Sequence, residues 1–531
     1  MCRHPMSFHD DIITLILNRT IQSPKDLQNA KIRLCKTYQL NPIPTNADIL
    51  AHLPKNLNES DYNSALKLLQ KKPMRTKSGV AIIAVMTSPH ECPHGRCTPC
   101  PGGPTTDTPQ SYTGHEPAAM RAENNCYDPF MQTTQRLTQL QAIGHSTNKI
   151  DFIIMGGTFT ARHPDYQEWF VKRCFDAMNE TTSDNLQESQ IKNETANNRC
   201  IGLTVETRPD WFRLQHIDSC LHYGATRVEL GVQIINDYIL SLINRGHSTT
   251  DTIQATQLGR NCGFKICYHL MPGLPGVTEH DDLEAFQRLF SDQRFKPDMI
   301  KIYPALVIKG TELYTQWENG IYEPLTDEQA ARRIAKMLKM LPRWVRIQRV
   351  QRDVPAPYIT AGVTKSNLRQ LVHIYQKEHH THCHCIRCRE LGHTTKTVDL
   401  NTLQPTLCHN SYQAADSTEH FLSMQDINQD ILIGYLRLRH LKTSHREELN
   451  AESTIIRELK VVGSGLTLGQ RKKDAAQHKG YGKALMAEAE RITKEEYGLK
   501  TIHVISGIGV KEYYRKLGYN DNGAYLSKTL A

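Results

Sequence analysis

In the stretch ECPHGRCTPCPGGP, Cys92, Cys97 and Cys100 bring three thiols together on a segment rich in Pro and Gly. Three thiolates so close can hold three irons of a cubane and leave the fourth iron open for a substrate. The competing chemistry is tetrahedral zinc, which wants four protein ligands, and the near candidate for the fourth is His94. A disulfide suits neither the odd count nor a chain without the basic-then-apolar start of a secretory signal. A second group, Cys383, Cys385 and Cys388, lies in HHTHCHCIRCRE. Three sulfurs with a surplus of imidazoles suit zinc, and His379, His380, His382, His384 and the distant Cys408 compete for the fourth place. A second iron–sulfur cluster is the alternative. Cys126, Cys174, Cys200, Cys220, Cys262 and Cys267 are scattered singly and read as ordinary buried thiols.

A third chemical feature is Gln477-His478-Lys479-Gly480-Tyr481-Gly482, directly before the amphipathic stretch GKALMAEAERITKEE. Successive backbone N–H groups at a helix start can cradle a pyrophosphate, and glycines let phosphates approach the main chain. Coenzyme A offers such a group; a plain helix start is the competing reading. Lys301 and Lys309 could position an anion or simply be solvated.

These residues need a scaffold. Residues 1–79 carry apolar residues at three- and four-residue spacing, which predicts a small helical cap with Ser23, Asn46 and Asn58 as N-caps. From residue 80 the pattern changes to six short apolar strands, at 80–87, 149–157, 200–207, 226–233, 264–273 and 299–306, separated by helix-length segments. Alternation of this kind predicts parallel βαβ units, in a barrel or a doubly wound sheet. In such folds chemistry sits at the carboxyl ends of strands, where Gly156, Gly157, Glu206, Arg208 and Gln233 fall. Residues 181–198 read as a mobile polar connection. From about 420 a mixed α/β unit follows, with strands at 431–441, 453–462 and 501–507.

The chain has 531 residues, 39% hydrophobic and 22% charged, and no apolar run long enough to span a bilayer, which predicts a multi-domain cytoplasmic protein. Its formal charge of +9 is uneven. Residues 1–79 hold twelve Lys or Arg against six Asp or Glu, and residues 341–391 hold nine against three. Concentrated positive charge attracts polyanions such as nucleic acid.

A three-cysteine loop after the first strand of a (βα) barrel resembles the radical S-adenosylmethionine (SAM) superfamily, although the gap between Cys92 and Cys97 is one residue longer than that superfamily's usual spacing. The words CPGGP, QSYTGHEPAAMRA, YDPF, MGGTF, ETRPDW, ELGVQ, NRGH, LMPGLPG, KIYPALVIKGTELY and RVQRDVP resemble the Elongator catalytic subunit family, in its short-gap prokaryotic form, over nearly the whole barrel. The loop at 477–482, the following strand and KEYYRKLGY resemble a GNAT acetyltransferase. The fold implied is α/β: a basic tRNA-binding cap (1–79), a partial (βα)6 TIM-like radical SAM barrel (80–360), a zinc-binding linker (361–420) and an α+β GNAT domain (421–531). The resemblance implies a [4Fe–4S] cluster on Cys92, Cys97 and Cys100, SAM against Gly156, Gly157, Glu206, Arg208 and Gln233, and structural zinc on Cys383, Cys385 and Cys388. It further implies acetyl-CoA at 477–482, with Lys309, Tyr513 and Tyr514 as catalytic candidates.

The activity implied is carboxymethylation of C5 of a tRNA wobble uridine: a SAM-derived radical takes hydrogen from acetyl-CoA, the carbon radical adds to the base, and the thioester is hydrolysed. RNA would approach across the cap and residues 341–391, with Trp344 stacking on a flipped base. An electron donor is required, no membrane is involved, and the chain acts alone or as a homodimer. Two other readings stand beside it: a protein lysine acetyltransferase that uses the barrel as scaffold, and a non-catalytic tRNA-binding protein. Reversing basic residues in 1–79 is expected to weaken tRNA binding and flatten its salt dependence; an unaltered slope removes that region from the interface.

Overall fold

The computed structural model describes residues 7–73, 76, 78–392, 402–450, 452–462 and 480–530. The N-terminal cap is four helices, α1 (Phe8–Leu17), α2 (Pro24–Tyr38), α3 (Asn46–Ala51) and α4 (Glu59–Leu69), around an apolar cluster of their own. Ser23 and Asn58 cap α2 and α4 as their side chains predict. Thr45, not Asn46, caps α3: its hydroxyl accepts from the Asp48 amide. The Asn46 amide is used elsewhere, accepting from Lys31 Nζ at 3.2 Å and donating to the Leu69 carbonyl at 3.1 Å.

Strands β1 (Ala81–Met86), β2 (Lys149–Met155), β3 (Arg199–Thr207), β4 (Ala225–Gln233), β5 (Lys265–Leu270), β6 (Met299–Ile302) and β7 (Arg346–Val350) form one sheet in chain order, every neighbouring pair parallel. The sheet therefore has seven strands where the apolar pattern predicts six. The sequence RIQRV in β7 hides its strand because three of its five residues are polar; Arg346 is turned inward onto the Glu390 carboxylate. Arg389 is likewise buried, so the basic stretch 341–391 is in part an internal ion-pairing segment, not all of it RNA-facing surface. Trp344 is also unavailable to RNA, at 5% exposure and stacked 4.2 Å from Tyr412.

The polar stretch 181–198 is not a loose connection. It contains the helix Leu186–Asn193, capped by Asn185, with its polar side chains bonded inward: Ser189 Oγ donates to Asp176 Oδ1 at 2.8 Å.

The second sheet runs β13 (Asn520–Asn522), β14 (Tyr525–Thr529), β12 (Thr501–Val504), β11 (Ser453–Val461), β10 (Ile431–His440), β9 (Ser417–Asp426), β8 (Thr406–Ala414). It is antiparallel except for β11 with β12. It takes its first strands from 406–426, a stretch the sequence pattern places mostly in the linker. No helix among the described residues is long and apolar enough to cross a membrane.

This sheet packs on the amino ends of the parallel strands. Arg457 Nη1 donates to the Phe264 carbonyl just before β5, and Arg437 Nη2 to the Trp344 carbonyl just before β7, both at 2.8 Å. Between the sheets lies a buried knot of four arginines and two carboxylates. Arg260 reaches Glu419 at 2.8 Å, Arg457 reaches Asp298 and Glu419 at 2.7 Å each, Arg439 reaches Glu419 at 2.9 Å and Arg437 reaches Asp298 at 3.5 Å. Burial alone would raise the Asp298 carboxyl, but Arg260, Arg457 and Arg437 outweigh it and hold it well below the usual range.

Asp298→Ala, which strands buried guanidinium groups, is expected to cost about 3–5 kcal/mol in chemical denaturation. Because the folded carboxyl is depressed, its contribution is complete above about pH 4, the unfolded value, and is lost as pH falls through the folded value. A cost below about 1 kcal/mol at neutral pH would contradict the role given to the knot.

Candidate active site

The loop after β1 carries the three N-terminal cysteines, and hydrogen-bonding groups from several elements address each sulfur. The Gln110 amide donates to Cys100 Sγ at 3.1 Å, Arg245 Nη1 to Cys97 Sγ at 3.5 Å, and Thr158 Oγ1 lies 3.6 Å from Cys92 Sγ. His94 Nε2 lies 3.0 Å from Cys97 Sγ. Burial pushes the Cys92 and Cys97 thiols up, and Arg245 opposes that shift at both.

Among the described residues, the groups whose ligand atoms lie within 4.8 Å of one another are Cys383/Cys385/Cys388 and Glu229/Cys267/His269; the 92–100 trio, with or without His94, is not one of them. Sulfurs that stand apart suit three different irons of a cluster and do not suit a single zinc.

Beside Cys97 and Cys100 opens a cavity of about 200 Å³ that runs past Glu206, Gln233 and His269 to Tyr303, Arg352 and Asp353. It lies at the carboxyl ends of the strands. Gly156 and Gly157 turn the chain after β2 with φ of +119° and +98°. A Cβ at Gly156 would lie 2.9 Å from the Thr87 amide nitrogen, so only glycine fits there. Glu206 ends β3 and Gln233 ends β4 with φ +68°. Arg208 is buried and clamped by Asp210 at 2.6 Å and the Gly246 carbonyl at 2.8 Å, while its Nη1 has no hydrogen-bond partner. The structure thus gathers the five SAM candidates at one end of the barrel.

The barrel interior below the cavity is ionic. Lys301 Nζ is paired with Glu229 and lies 3.4 Å from Glu206, and His269 Nε2 meets Glu229 at 2.9 Å. Lys301 is therefore an internal counter-ion and not a contact for an external phosphate. It also balances the Glu229/Cys267/His269 group, which is part of this ion network. Burial alone would raise Glu229, but Lys301, His269 and Arg227 hold it well below the carboxylate range; at Glu206 burial prevails and the carboxyl is raised.

Lys309 is exposed and follows Ile308, which lines the cavity; the neighbouring Gly310 carbonyl accepts from Arg96 on the cysteine loop at 3.2 Å.

Cys383, Cys385 and Cys388 do converge, and the Ile386 amide donates to the Val345 carbonyl at 2.9 Å, tying them to the start of β7. No fourth His, Cys, Asp or Glu among the described residues joins the three at that spacing. His384 faces Asp430 at 3.6 Å, His379 stacks on Tyr375, and Cys408 lies on β8.

At the C-terminal site, Gln477, His478 and Lys479 lie outside the described residues. Gly480 opens the helix Tyr481–Arg491 with φ +87°, and no other described residue would touch a Cβ placed there. Tyr513, 37% exposed, places its hydroxyl 2.8 Å from where a Cβ on Gly482 would stand, whereas Tyr514, at 6%, packs in the core against Tyr519. β11 pairs with β12 over 453–456, and Val461 near its end lies beside Gly482.

Arg245, His247 and Gln110 are site residues that the sequence pattern does not single out; Thr158 falls with Gly156 and Gly157 at the carboxyl end of its strand, but nothing in the sequence says that it, Arg245 or Gln110 addresses sulfur. Burial, then Arg245 and Arg208, keep His247 neutral, down to about 2.

Lys301→Met is expected to destabilise the chain by about 3–5 kcal/mol at neutral pH, since two carboxylates lose their counter-ion. Their folded values then rise, so the deficit against wild type shrinks as pH falls towards about 4.3, the unfolded glutamate value. A deficit that is constant with pH would contradict this charge balance.

Comparison with known proteins fits this geometry. The Radical SAM superfamily profile matches residues 87–289, the Radical SAM C-terminal domain 297–378 and the ELP3 N-terminal domain 6–77. A protein of Methanocaldococcus jannaschii named tRNA uridine(34) acetyltransferase is 50% identical over 493 residues, 92% of this chain and 90% of that protein. Elongator complex protein 3 of Dictyostelium discoideum is 42% identical over 98% of this chain and 94% of its own length. The solved structure of archaeal Methanocaldococcus infernus Elp3 with an N-terminal deletion superposes with a TM-score of 0.76 at 46% identity, covering 85% of this chain and all of that one.

Proposed function

Because the chain belongs to the Elongator complex protein 3 family within the radical SAM superfamily, we propose that it modifies C5 of the tRNA wobble uridine by carboxymethylation, with SAM and acetyl-CoA. The observation that carries the reading is the set of three separated sulfurs, each addressed by a polar group, at the mouth of a cavity with charged walls. Cys92, Cys97 and Cys100 would hold the [4Fe–4S] cluster. Gly156 and Gly157, at the strand-end turn, would accept the SAM amino group, Arg208 Nη1 suits its carboxylate, and Glu206 and Gln233 would line its ribose and carboxylate. When bound, the cluster and SAM supply abstraction of a hydrogen atom from an unactivated C–H bond.

The chain's own residues do the rest. Gln110 and Arg245 orient the sulfurs of Cys100 and Cys97 by donating to them. Lys301 neutralises the cavity floor without occupying the cavity. Acetyl-CoA fits the open glycine turn at 480–482, with residues 477–479 preceding it and Tyr513 at its edge; Tyr514 supports Tyr513 from the core. Lys309, at the cavity rim, would meet an anionic group of either substrate. Zinc on Cys383, Cys385 and Cys388 would pin the linker to β7.

The proposed domain scheme is the cap at 1–79, the barrel at 80–360, the linker at 361–420, whose end from 406 lends strands to the C-terminal sheet, and the acetyltransferase at 421–531, in a cytoplasmic enzyme that needs an electron donor and works alone or as a homodimer. Anaerobic reconstitution with iron and sulfide, followed by SAM, acetyl-CoA, a reductant and unmodified tRNA, should raise the mass of the wobble nucleoside by a carboxymethyl group. Cys97→Ser should abolish that product while tRNA binding persists. An unchanged nucleoside in the presence of a formed cluster would contradict the proposal.

A further inference from the structure

We propose that His115 and Tyr358 form a stacking platform for the pyrimidine base as it enters the barrel; this rests on the reading that the chain acts on tRNA. Their rings lie parallel, with centroids 3.6 Å apart and 8° between the planes. Both residues are exposed, Tyr358 at 44%, and Tyr358 joins none of the apolar clusters among the described residues.

Their position gives the pair its meaning. β1 and β7 are the two edges of the parallel sheet and do not pair with each other. His115 comes from the loop that leaves the carboxyl end of β1, and Tyr358 from the loop that leaves the carboxyl end of β7. The stack therefore bridges the open side of the barrel. Each ring is anchored beside a segment that lines the cavity: Tyr112 and Glu116 on one side, Arg352, Asp353 and Val354 on the other.

An aromatic pair with its faces in water contributes little to a core, but it presents a flat surface on which a third ring can stack. Stacking of this kind accepts any base, so the platform positions the nucleobase, and the polar groups deeper in the cavity are left to read its edge. Trp344, the tryptophan whose sequence context points to RNA, is committed to the interior, whereas this pair is exposed beside a cavity that Tyr112 and Tyr303 line deeper in.

The test uses the full chain without cofactors, titrated with an anticodon stem–loop RNA carrying either uridine or an abasic site at the wobble position. The wild-type chain should prefer the uridine form. Tyr358→Ala and His115→Ala should each weaken binding of that form roughly five- to hundredfold, leave the abasic form unaffected, and leave the salt slope unchanged because stacking releases no counter-ions. Tyr358→Phe should retain wild-type binding, and melting temperatures should not move, since both rings are exposed. A fluorescent pyrimidine at the wobble position should be quenched by the wild type and not by the alanine variants. Variants that keep the preference for uridine, or that lose affinity for both RNAs alike, would overturn the platform. A wild-type chain that binds the stem–loop no better than an unrelated hairpin would instead overturn the tRNA reading itself.

Discussion

Asp298 and Glu419, buried among four arginines, weld the barrel to the C-terminal sheet. A carboxylate in this interior is tolerable only because guanidinium groups approach from both domains, and each guanidinium is tolerable only because the carboxylates are there. Neither half could expose this surface without leaving charge unpaired, so the chain behaves as one body. The weld also fixes where the two candidate sites stand. The sheet seals the amino ends of the parallel strands, while the cysteine loop and cavity occupy the carboxyl ends.

Between those ends the barrel is filled by charge where hydrocarbon is usual. Asp151, Arg227, Glu229, Lys301 and Glu206 follow one another along the interior at contact distances of 3.0–3.6 Å, with the Glu229–Lys301 pair closer still. Such a column stabilises less than packed aliphatic side chains would, and it is consistent with an interior shaped for chemistry. It sets the field at the cavity floor, and the arginines and amides around the cysteine loop set the field at its mouth. Together they present charges of both signs to the cavity, which suits a zwitterionic ligand.

Much of this is legible from residues alone. The strands β1 to β6 show because a parallel sheet covered on both faces demands unbroken apolar runs. The cysteine trio shows because few folds place three thiols within nine residues, Cys92 to Cys100, without a metal in mind. β7 does not show, because Arg346 is neutralised by Glu390, a partner that only tertiary structure brings near, and Arg349 by Asp353 beyond the strand. For the same reason Lys301 and Trp344 look like ligands for anions and bases until the fold turns them inward. Arg245 and Gln110 are invisible for a different reason: they stand in words that carry the resemblance, NRGH and QSYTGHEPAAMRA, but only the third dimension joins them to the sulfurs.

The central claim is that Cys92, Cys97 and Cys100 hold a cluster with one iron open to the cavity. Its most direct test is electron paramagnetic resonance of the anaerobically reconstituted, reduced chain with and without SAM. The account predicts a [4Fe–4S] signal whose g-values change when SAM is added, and an Arg208→Ala variant in which that change needs more SAM. Zinc bound at the three cysteines, or a cluster signal indifferent to SAM, would contradict it.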